Sequence, residues 1–201
     1  MSLRSIVVVS GGLSEPSSTR MLGDLLAAAT SRALDERGIE TAVDVVELRD
    51  HARDLANEMV SGVGSPALDQ AMDAVAAADG LIVVTPVFSA SYSGLFKTFF
   101  DVLEPEALKG MPVLIAATAG TPRHSLVLDH ALRPLFSYLG AVVVPTGVFA
   151  ATEDWGAGSD QALSQRADRA GAELAGLAAA DRPQPDRFDD VPSFERLLAG
   201  D

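Results

Sequence analysis

Residues 81–98 read LIVVTPVFSASYSGLFKT, a four-residue apolar run followed by small polar residues and then by the start of a helical pattern. A short apolar run between turn residues is typical of a strand that is buried on both faces, as in a parallel sheet covered by helices. In open α/β sheets, ligands bind at the carboxyl ends of such strands. We therefore expect a binding loop at residues 85–93, directly after a central parallel strand.

The rest of the chain alternates between strand and helix in the same way. Apolar runs predict five strands, at residues 6–9, 43–46, 81–84, 112–118 and 141–144. Helical periodicity predicts helices at residues 17–37, 65–78, 94–103, 126–139 and 161–180, while residues 49–64 fit either a short helix or an irregular excursion. This alternation predicts an α/β fold, with helices on both faces of a five-stranded parallel sheet in the flavodoxin-like order 2-1-3-4-5.

The composition of the chain changes after Ala180. Residues 181–186 read DRPQPD, which is typical of a linker, and a small apolar set follows at residues 188–198. We expect one domain at residues 1–180, long enough to bury a sizeable core, and a C-terminal tail at residues 181–201. The tail is predicted either to hang free or to dock on its own domain or on a second subunit.

Composition also excludes several classes of function. The chain has 201 residues and a formal net charge of −13, so no basic surface for nucleic acid is expected. No apolar run approaches the ~20 residues of a membrane span, and the early first strand leaves no room for a signal peptide, so we expect a cytoplasmic protein. The chain has no cysteine, which excludes thiolate nucleophiles and Cys-ligated metals.

The first candidate site is the connection after the first strand, where residues 10–20 read SGGLSEPSSTR. Its two glycines allow close approach of the backbone, and the N–H groups of a helix N-terminus suit a phosphate. The alternative is that Ser17 or Ser18 only caps the helix. The sequence is neither GxGxxG nor a P-loop, which disfavours adenine dinucleotides and nucleoside triphosphates.

Two further loops are predicted at the same edge of the sheet. In loop 85–93, Val87, Phe88 and Tyr92 offer apolar surface for a flat ring system; the alternative is that Phe88 and Tyr92 pack in the core or in a subunit interface. The third loop, residues 118–124, reads TAGTPRH and follows the fourth strand. Its histidine is more often a surface or capping residue than a catalytic acid or base.

Few residues at this edge are able to react by themselves. The chain has no GxSxG nucleophile elbow, and His51, His124 and His130 lack the spacing of metal ligands. Glu47 and Asp50, near the end of the second strand, either bind a ribose or are simply solvated. Such a site is typical of an enzyme whose cofactor supplies the chemistry, so we predict no catalytic side chain and no metal.

These segments resemble the NAD(P)H-dependent FMN reductases of the flavodoxin-like superfamily, in particular the flavin reductase component of two-component monooxygenase systems. The most specific match is residues 85–101, which follow the family pattern T-P-x-Y/F-x-x-x-Y-S-G-x-x-K-x-x-x-D. Gly11 with residues 17–20, residues 117–120 and the run LDHALRPL at residues 128–135 also follow the family. The resemblance covers residues 4–180.

The resemblance implies which residues form a flavin site. The FMN phosphate is expected among Gly12, Ser17, Ser18, Thr19 and Arg20. The isoalloxazine ring is expected against Pro86, Val87, Phe88 and Ser89, with Thr118, Ala119, Gly120 and Thr121 closing the site. Gly12 stands where many relatives have serine, so its backbone N–H is the group expected to contact the phosphate.

The resemblance also implies an activity and an assembly. The activity is hydride transfer from NAD(P)H to FMN, which supplies reduced flavin to a partner monooxygenase. The assembly is a homodimer or homotetramer in which a neighbouring subunit completes the flavin pocket. His130 is expected in a disrupted helix turn at the tetramer interface; the alternative is that it is an ordinary residue on a helix surface. The rival interpretations are an azo- or quinone reductase with tightly bound FMN, and a flavodoxin-like electron carrier without pyridine nucleotide activity.

Overall fold

The structure is a computed structural model that describes residues 3–156 and 160–180, so the predicted tail lies outside the described residues. The strands are β1 Leu3–Ser10, β2 Glu40–Glu47, β3 Gly80–Phe88, β4 Ser91–Tyr92, β5 Pro112–Ala119, β6 Val142–Val143 and β7 Val148–Ala151. The α-helices are α1 Ser18–Asp35, α2 Ala52–Ser61, α3 Pro66–Ala77, α4 Gly94–Asp101, α5 Arg133–Tyr138 and α6 Asp160–Ala178. Short 3₁₀ turns lie at Leu48–His51, Pro122–His124 and Thr152–Trp155.

The central sheet has the strand order β2-β1-β3-β5-β6, and these five strands are parallel. This is the flavodoxin-like order, so the predicted α/β class and the parallel centre of the sheet are confirmed. In the β1–β2 ladder, Leu3 lies opposite Glu40 and Ser10 opposite Glu47. The carboxyl ends of neighbouring strands therefore finish at the same edge of the sheet.

The prediction of a five-stranded parallel sheet is wrong in its count, because the described residues form seven strands. β4 folds back antiparallel on β3, with Val87 opposite Tyr92 and Phe88 opposite Ser91. The strand predicted at residues 141–144 is reduced to β6, which pairs with the start of β5, and β7, which was not predicted, pairs with the end of β5.

The edge strand is interrupted between β6 and β7 because side chains satisfy its backbone there. Pro145 has no N–H for a ladder hydrogen bond. Arg133 donates to the carbonyl oxygens of Val144 and Pro145, at 3.1 and 3.0 Å. The N–H and the hydroxyl of Thr146 donate to the carboxylate of Glu173, at 2.7 and 2.8 Å. These bonds replace the ladder hydrogen bonds that a continuous strand would make.

Helices cover both faces of the sheet and bury two cores. Alternate residues of a strand point to opposite faces, so Ile6 packs in the core under α1 and α6, while Val7 packs in the core under α2, α3, α4 and α5. The core that contains Val7 also contains the buried rings of Phe96, Phe99 and Phe136. In the part of the chain that the structure describes, no helix is both long and apolar enough to cross a membrane.

Local signals explain where the helices begin. The side chains of Ser17, Ser65 and Ser93, at the N-caps of α1, α3 and α4, each accept a hydrogen bond from the N–H three residues further along. Gly62 adopts a positive φ of 67° and ends α2. The ambiguous segment at residues 49–64 is thus mostly helix.

The helix predicted at residues 126–139 is not a single α-helix. Leu128–Leu132 form a π-helical turn, and the N–H of Arg133 bonds to the carbonyl of Leu128, five residues back. Pro134 favours this irregularity because it has no N–H for an α-helical bond. The π-helical turn contains the exposed His130, so the disrupted turn that the resemblance implied is present.

Helices α1 and α6, which cover the same face of the sheet, approach each other closely at Gly171 in α6. A Cβ at this position would lie 2.8 Å from the backbone nitrogen of Thr30 and 2.9 Å from the carbonyl carbon of Ala29. Gly176, in the same helix, would place a Cβ no nearer than 4.0 Å to another group, the guanidinium of Arg37. The helix pair therefore tolerates a side chain at one of these glycines and not at the other.

We expect Gly171→Ala to lower the free energy of unfolding by about 1–3 kcal/mol, because backbone atoms must move apart. Gly176→Ala is the matched control and is expected to raise it by up to about 1 kcal/mol through helix propensity. Urea unfolding followed by circular dichroism measures both changes. Equal effects of the two substitutions would contradict the close approach of α1 and α6.

A pH-dependent contribution to stability is expected from Glu173. Burial raises the pKa of its carboxyl group, but hydrogen bonds from Thr146 and Arg169 outweigh burial, and the pKa lies below its ordinary value. A carboxylate with a lowered folded-state pKa stabilises the fold above the unfolded pKa, and this stabilisation is lost as the pH falls through the folded pKa. We expect Glu173→Gln to destabilise the protein at pH 7 and to differ progressively less from the unsubstituted protein below about pH 4. Unfolding curves between pH 3 and 7, with exposed Glu36→Gln as control, test this; a constant difference would refute it.

Candidate functional site

Three connections meet at the carboxyl edge of the sheet: the first loop (residues 11–17), the β3–β4 hairpin, and the third loop (residues 118–124). The hydroxyl oxygens of Thr19 and Thr118 lie 2.9 Å apart in a buried hydrogen bond, which joins the start of α1 to the end of β5. The N–H of Gly11 donates to a carbonyl of β3 at 2.8 Å. The prediction that these segments share one edge is confirmed.

The first loop presents hydrogen-bond donors at the start of α1. Ser17 caps the helix by accepting from the N–H of Arg20 at 3.2 Å, as the capping interpretation predicted. A Cβ on Gly12 would lie 2.2 Å from the Ser17 Oγ, so a side chain at this position would require the Ser17 hydroxyl to move. Ser18 is exposed and Thr19 is buried. Because the first turn of α1 contains no acidic residue, its N–H groups form an electropositive end suited to an anion.

Arg20 lies in the first turn of α1, but carboxylates already bind its guanidinium group. Its Nε donates to Asp24 at 2.8 Å and its Nη1 donates to Glu47 at 3.0 Å. The hydrogen bond to Asp24, followed by that to Glu47, keeps the pKa of Arg20 above its ordinary value. The Glu47 side chain is 13% exposed, so the expectation that it is simply solvated is wrong.

Sequence reasoning did not single out two other residues beside the first loop. Arg49, in the 3₁₀ turn after β2, donates to the carbonyl of Ser14 at 3.2 Å and lies 3.5 Å from the carboxylate of Glu15. Ser10, the last residue of β1, is fully buried and its Oγ has no hydrogen-bond partner within the described chain. The sequence feature that could have identified Ser10 is a hydroxyl residue directly after the apolar run at residues 6–9.

The segment at residues 85–93 is a β-hairpin and not the loop that the sequence predicted. β3 continues to Phe88, and Ser89 and Ala90 form the turn with φ angles of 49° and 67°. Two central residues with positive φ are the pattern of a type I′ turn, which matches the twist of the two strands. The strand was predicted too short because Pro86 is typical of a loop or an edge position.

Hydrogen bonds at the base of the hairpin fix its position. The N–H of Ser93 donates to the Thr85 hydroxyl at 3.0 Å, and the Ser93 hydroxyl caps α4. Tyr92 is partly buried and packs against the core, with a ring-centroid distance of 6.0 Å to Phe96. Phe88 is 49% exposed, so the hairpin presents this residue to solvent at the edge of the sheet. Tyr92, on the paired strand, packs towards the core.

The third loop has a buried start and an exposed remainder. Thr118 is buried at the end of β5, Ala119 is half-buried, and Gly120 and Thr121 are exposed. His124 is exposed in the following 3₁₀ turn. Within residues 3–156 and 160–180, no group of three or more His, Cys, Asp or Glu side chains is arranged to hold a metal ion. Chemically, this edge offers backbone donors, hydroxyls and apolar surface.

Two surface cavities of about 480 and 490 Å³ lie elsewhere. One is lined by the ends of α4 and α5 and by residues 103–109, and the other by α3 and residues 58–64 and 102–107. Neither lining contains a predicted site residue, and both include carboxylates such as Glu104, which disfavour a phosphate. The carboxyl edge therefore remains the candidate site.

This topology and this edge define an α/β protein with a flavodoxin-like sheet and a ligand site where the parallel strands end. A sequence model of the NADPH-dependent FMN reductases matches residues 4–156. This chain belongs to that family, as its sequence predicted.

Individual relatives agree with this assignment. An FMN reductase (NADPH) of Pseudomonas aeruginosa is 42% identical over 152 residues, which cover 75% of this chain and 78% of that protein. An NADH-dependent FMN reductase, SfnE of Pseudomonas putida, is 42% identical over 146 residues, 73% of this chain and 76% of that protein. The X-ray structure of an oxidoreductase from Corynebacterium diphtheriae has a TM-score of 0.87 and 51% identity, covering 90% of this chain and 100% of that one.

We expect Thr118→Val to lower the free energy of unfolding by about 1–3 kcal/mol, because it leaves the buried Thr19 hydroxyl without its partner. The double substitution Thr19→Val/Thr118→Val is expected to cost less than the sum of the two single substitutions, since it removes both polar groups. Chemical unfolding of the four proteins of this cycle measures the coupling. Strictly additive losses would show that the hydrogen bond does not join α1 to β5.

Proposed function

We propose that this NAD(P)H-dependent FMN reductase holds FMN at the carboxyl edge of its sheet and releases it after reduction. Bound FMN supplies the redox chemistry, with its N5 accepting hydride from NAD(P)H. The observation that carries the proposal is the hydrogen bond between Thr19 and Thr118, which brings the donors of the first loop beside the third loop. The hairpin at the same edge of the sheet presents Phe88, which is about half exposed.

The phosphate of FMN is proposed to lie at the start of α1. Backbone N–H groups of Gly12, Ser18 and Thr19 and the hydroxyls of Ser17 and Ser18 are suitable donors. The hydrogen bond that Ser17 accepts from Arg20 leaves its own O–H free to donate to a phosphate oxygen. Neutral donors are needed here because a chain with a net charge of −13 gives no long-range attraction to an anion.

The flavin ring is proposed to lie between the hairpin and the third loop. Pro86, Val87, Phe88 and Ser89 support one side, and Thr118, Ala119, Gly120 and Thr121 close the other. Backbone N–H groups at the polar edge of the ring stabilise the negative charge that develops on reduction. The enzyme otherwise contributes positioning, because a donor and an acceptor held roughly 3–3.5 Å apart react without a protein nucleophile.

The exposed rim of this edge is proposed to bind a second copy of the chain. Four apolar residues within or next to the three connections in sequence are each about half exposed or more: Leu13, Met21, Phe88 and Leu126. Exposed apolar residues grouped around a polar site are typical of an interaction surface. A homodimer or homotetramer would cover them and complete the flavin pocket.

The resemblance supports two further proposals about context. The enzyme is proposed to act in the cytoplasm and to supply reduced FMN to a partner monooxygenase. Residues 1–180 are proposed to be the catalytic domain, with residues 181–201 as a separate tail. A flavin that leaves the enzyme fits this role because several residues of the proposed site, including Ser18, Gly120 and Thr121, are exposed.

A steady-state assay with NADH and NADPH, varying FMN, FAD and riboflavin, tests the proposed function. We expect the rate of NADH or NADPH oxidation to saturate as FMN is increased. We also expect the protein to lose its yellow colour on dialysis. Colour that survives dialysis would indicate a prosthetic flavin, as in an azo- or quinone reductase. Slow bleaching of bound FMN by both nucleotides in stopped-flow experiments would indicate an electron carrier.

We expect Gly12→Ala to raise the KM for FMN by about tenfold or more. The added methyl group displaces the Ser17 hydroxyl from its cap, which removes a phosphate donor and a cap worth about 1 kcal/mol. Riboflavin has no phosphate, so its KM is expected to change much less. Gly176→Ala, in α6, is the control for an added methyl group without contacts. An unchanged KM for FMN in Gly12→Ala would place the phosphate elsewhere.

A further inference from the structure

Arg20 is the single cationic residue in the first turn of α1, and its charge is already engaged. Asp24, one helical turn further along α1, accepts from its Nε at 2.8 Å. Glu47, at the carboxyl end of β2, accepts from its Nη1 at 3.0 Å. Together these three side chains carry one net negative charge. The guanidinium is therefore held beside two carboxylates at the edge where the phosphate is proposed to bind.

Glu47 is in an unusual position for a carboxylate that serves only as an anchor. Its side chain is 13% exposed, and its Oε2 is buried with no hydrogen-bond partner in the described part of the chain. Its neighbour across the β1–β2 ladder is Ser10, whose buried Oγ also has no such partner. Within the described chain, the hydrogen bond and ion pair with Arg20 are the interactions that offset the burial of this side chain.

Arg49, the other arginine bonded to the first loop, is also paired. It lies 3.5 Å from the carboxylate of Glu15 and donates to the backbone carbonyl of Ser14. Both arginines that contact this loop or its helix thus face a carboxylate of the same chain. The dianionic phosphate of FMN would meet compensated charges here, in contrast to a site built around a free cation.

We infer that Glu47 and Asp24 are positioning residues that withhold the charge of Arg20 from the flavin phosphate and so keep FMN a dissociable substrate. This inference rests on the proposed function, in which the phosphate lies at the start of α1. Each carboxylate acts in two ways: it holds the guanidinium by a hydrogen bond, and it repels the phosphate directly. Weaker phosphate binding speeds the release of reduced FMN.

The test compares the affinities of FMN and riboflavin, because these ligands differ in the phosphate alone. We expect Glu47→Gln and Asp24→Asn each to lower the Kd for FMN by about threefold to tenfold and to leave the Kd for riboflavin unchanged. The amide of Gln keeps an acceptor oxygen for Arg20 but has no charge. Fluorescence titration measures both Kd values, and stopped-flow mixing is expected to show slower FMN dissociation.

Two further measurements separate charge from structure. Asp168→Asn removes an exposed carboxylate that pairs with Arg32 in the last turn of α1, and it is expected to change neither Kd. In about 0.5 M salt, the gain in FMN affinity is expected to shrink, because mobile ions screen exposed charges. A purely structural role for Glu47 would instead change the Kd values of FMN and riboflavin together.

The inference is overturned if the ratio of the two Kd values stays constant in Glu47→Gln, or if FMN binds less tightly. Asp24 is exposed, so Asp24→Asn measures the same ratio should Glu47→Gln fail to fold. Failure of the proposed function has a different signature: the unsubstituted protein would not oxidise NADH or NADPH when FMN is added. An active enzyme with an unchanged ratio would refute the inference alone.

Discussion

The position of α1 on the sheet determines the geometry of the candidate site. Gly23 allows this close packing, because a Cβ there would lie 2.8 Å from the Cγ1 of Val8 in β1. In the first turn of α1, the buried hydrogen bond between Thr19 and Thr118 joins the helix to β5. With the strands in register beneath it, the first turn is held beside the end of the central strands. The donors of the first loop depend on that placement.

The charges at this edge give the enzyme its proposed character. The phosphate is proposed to bind to backbone N–H groups and hydroxyls beside an arginine held by Asp24 and Glu47, and there it would be bound by geometry more than by net charge. Such binding favours exchange of the flavin with solvent. A reductase that supplies reduced flavin to another enzyme needs a ligand that it can recognise and also release, and this edge is consistent with both requirements.

Much of the architecture could be predicted from local patterns. The apolar runs located the five parallel strands of the main sheet, and the flavodoxin-like topology that suits five such strands gave their observed order. Errors arose where hydrogen bonds between side chains and the backbone decide the outcome. β4 exists because Thr85 receives the N–H of Ser93 and closes a hairpin, and the break between β6 and β7 depends on Arg133 and Glu173.

The motif at residues 85–101 and the glycine-rich first loop carried the prediction of the family. The three connections could be predicted at one edge because neighbouring parallel strands end together. The pairing of Arg20 was beyond reach of the sequence. Glu47 lies 27 residues away along the chain, and its carboxylate contacts Arg20 because β2 lies next to β1 in the sheet. Composition and spacing determine which elements form, whereas the charge that a side chain presents to a ligand depends on neighbours that folding alone brings within 3.0 Å.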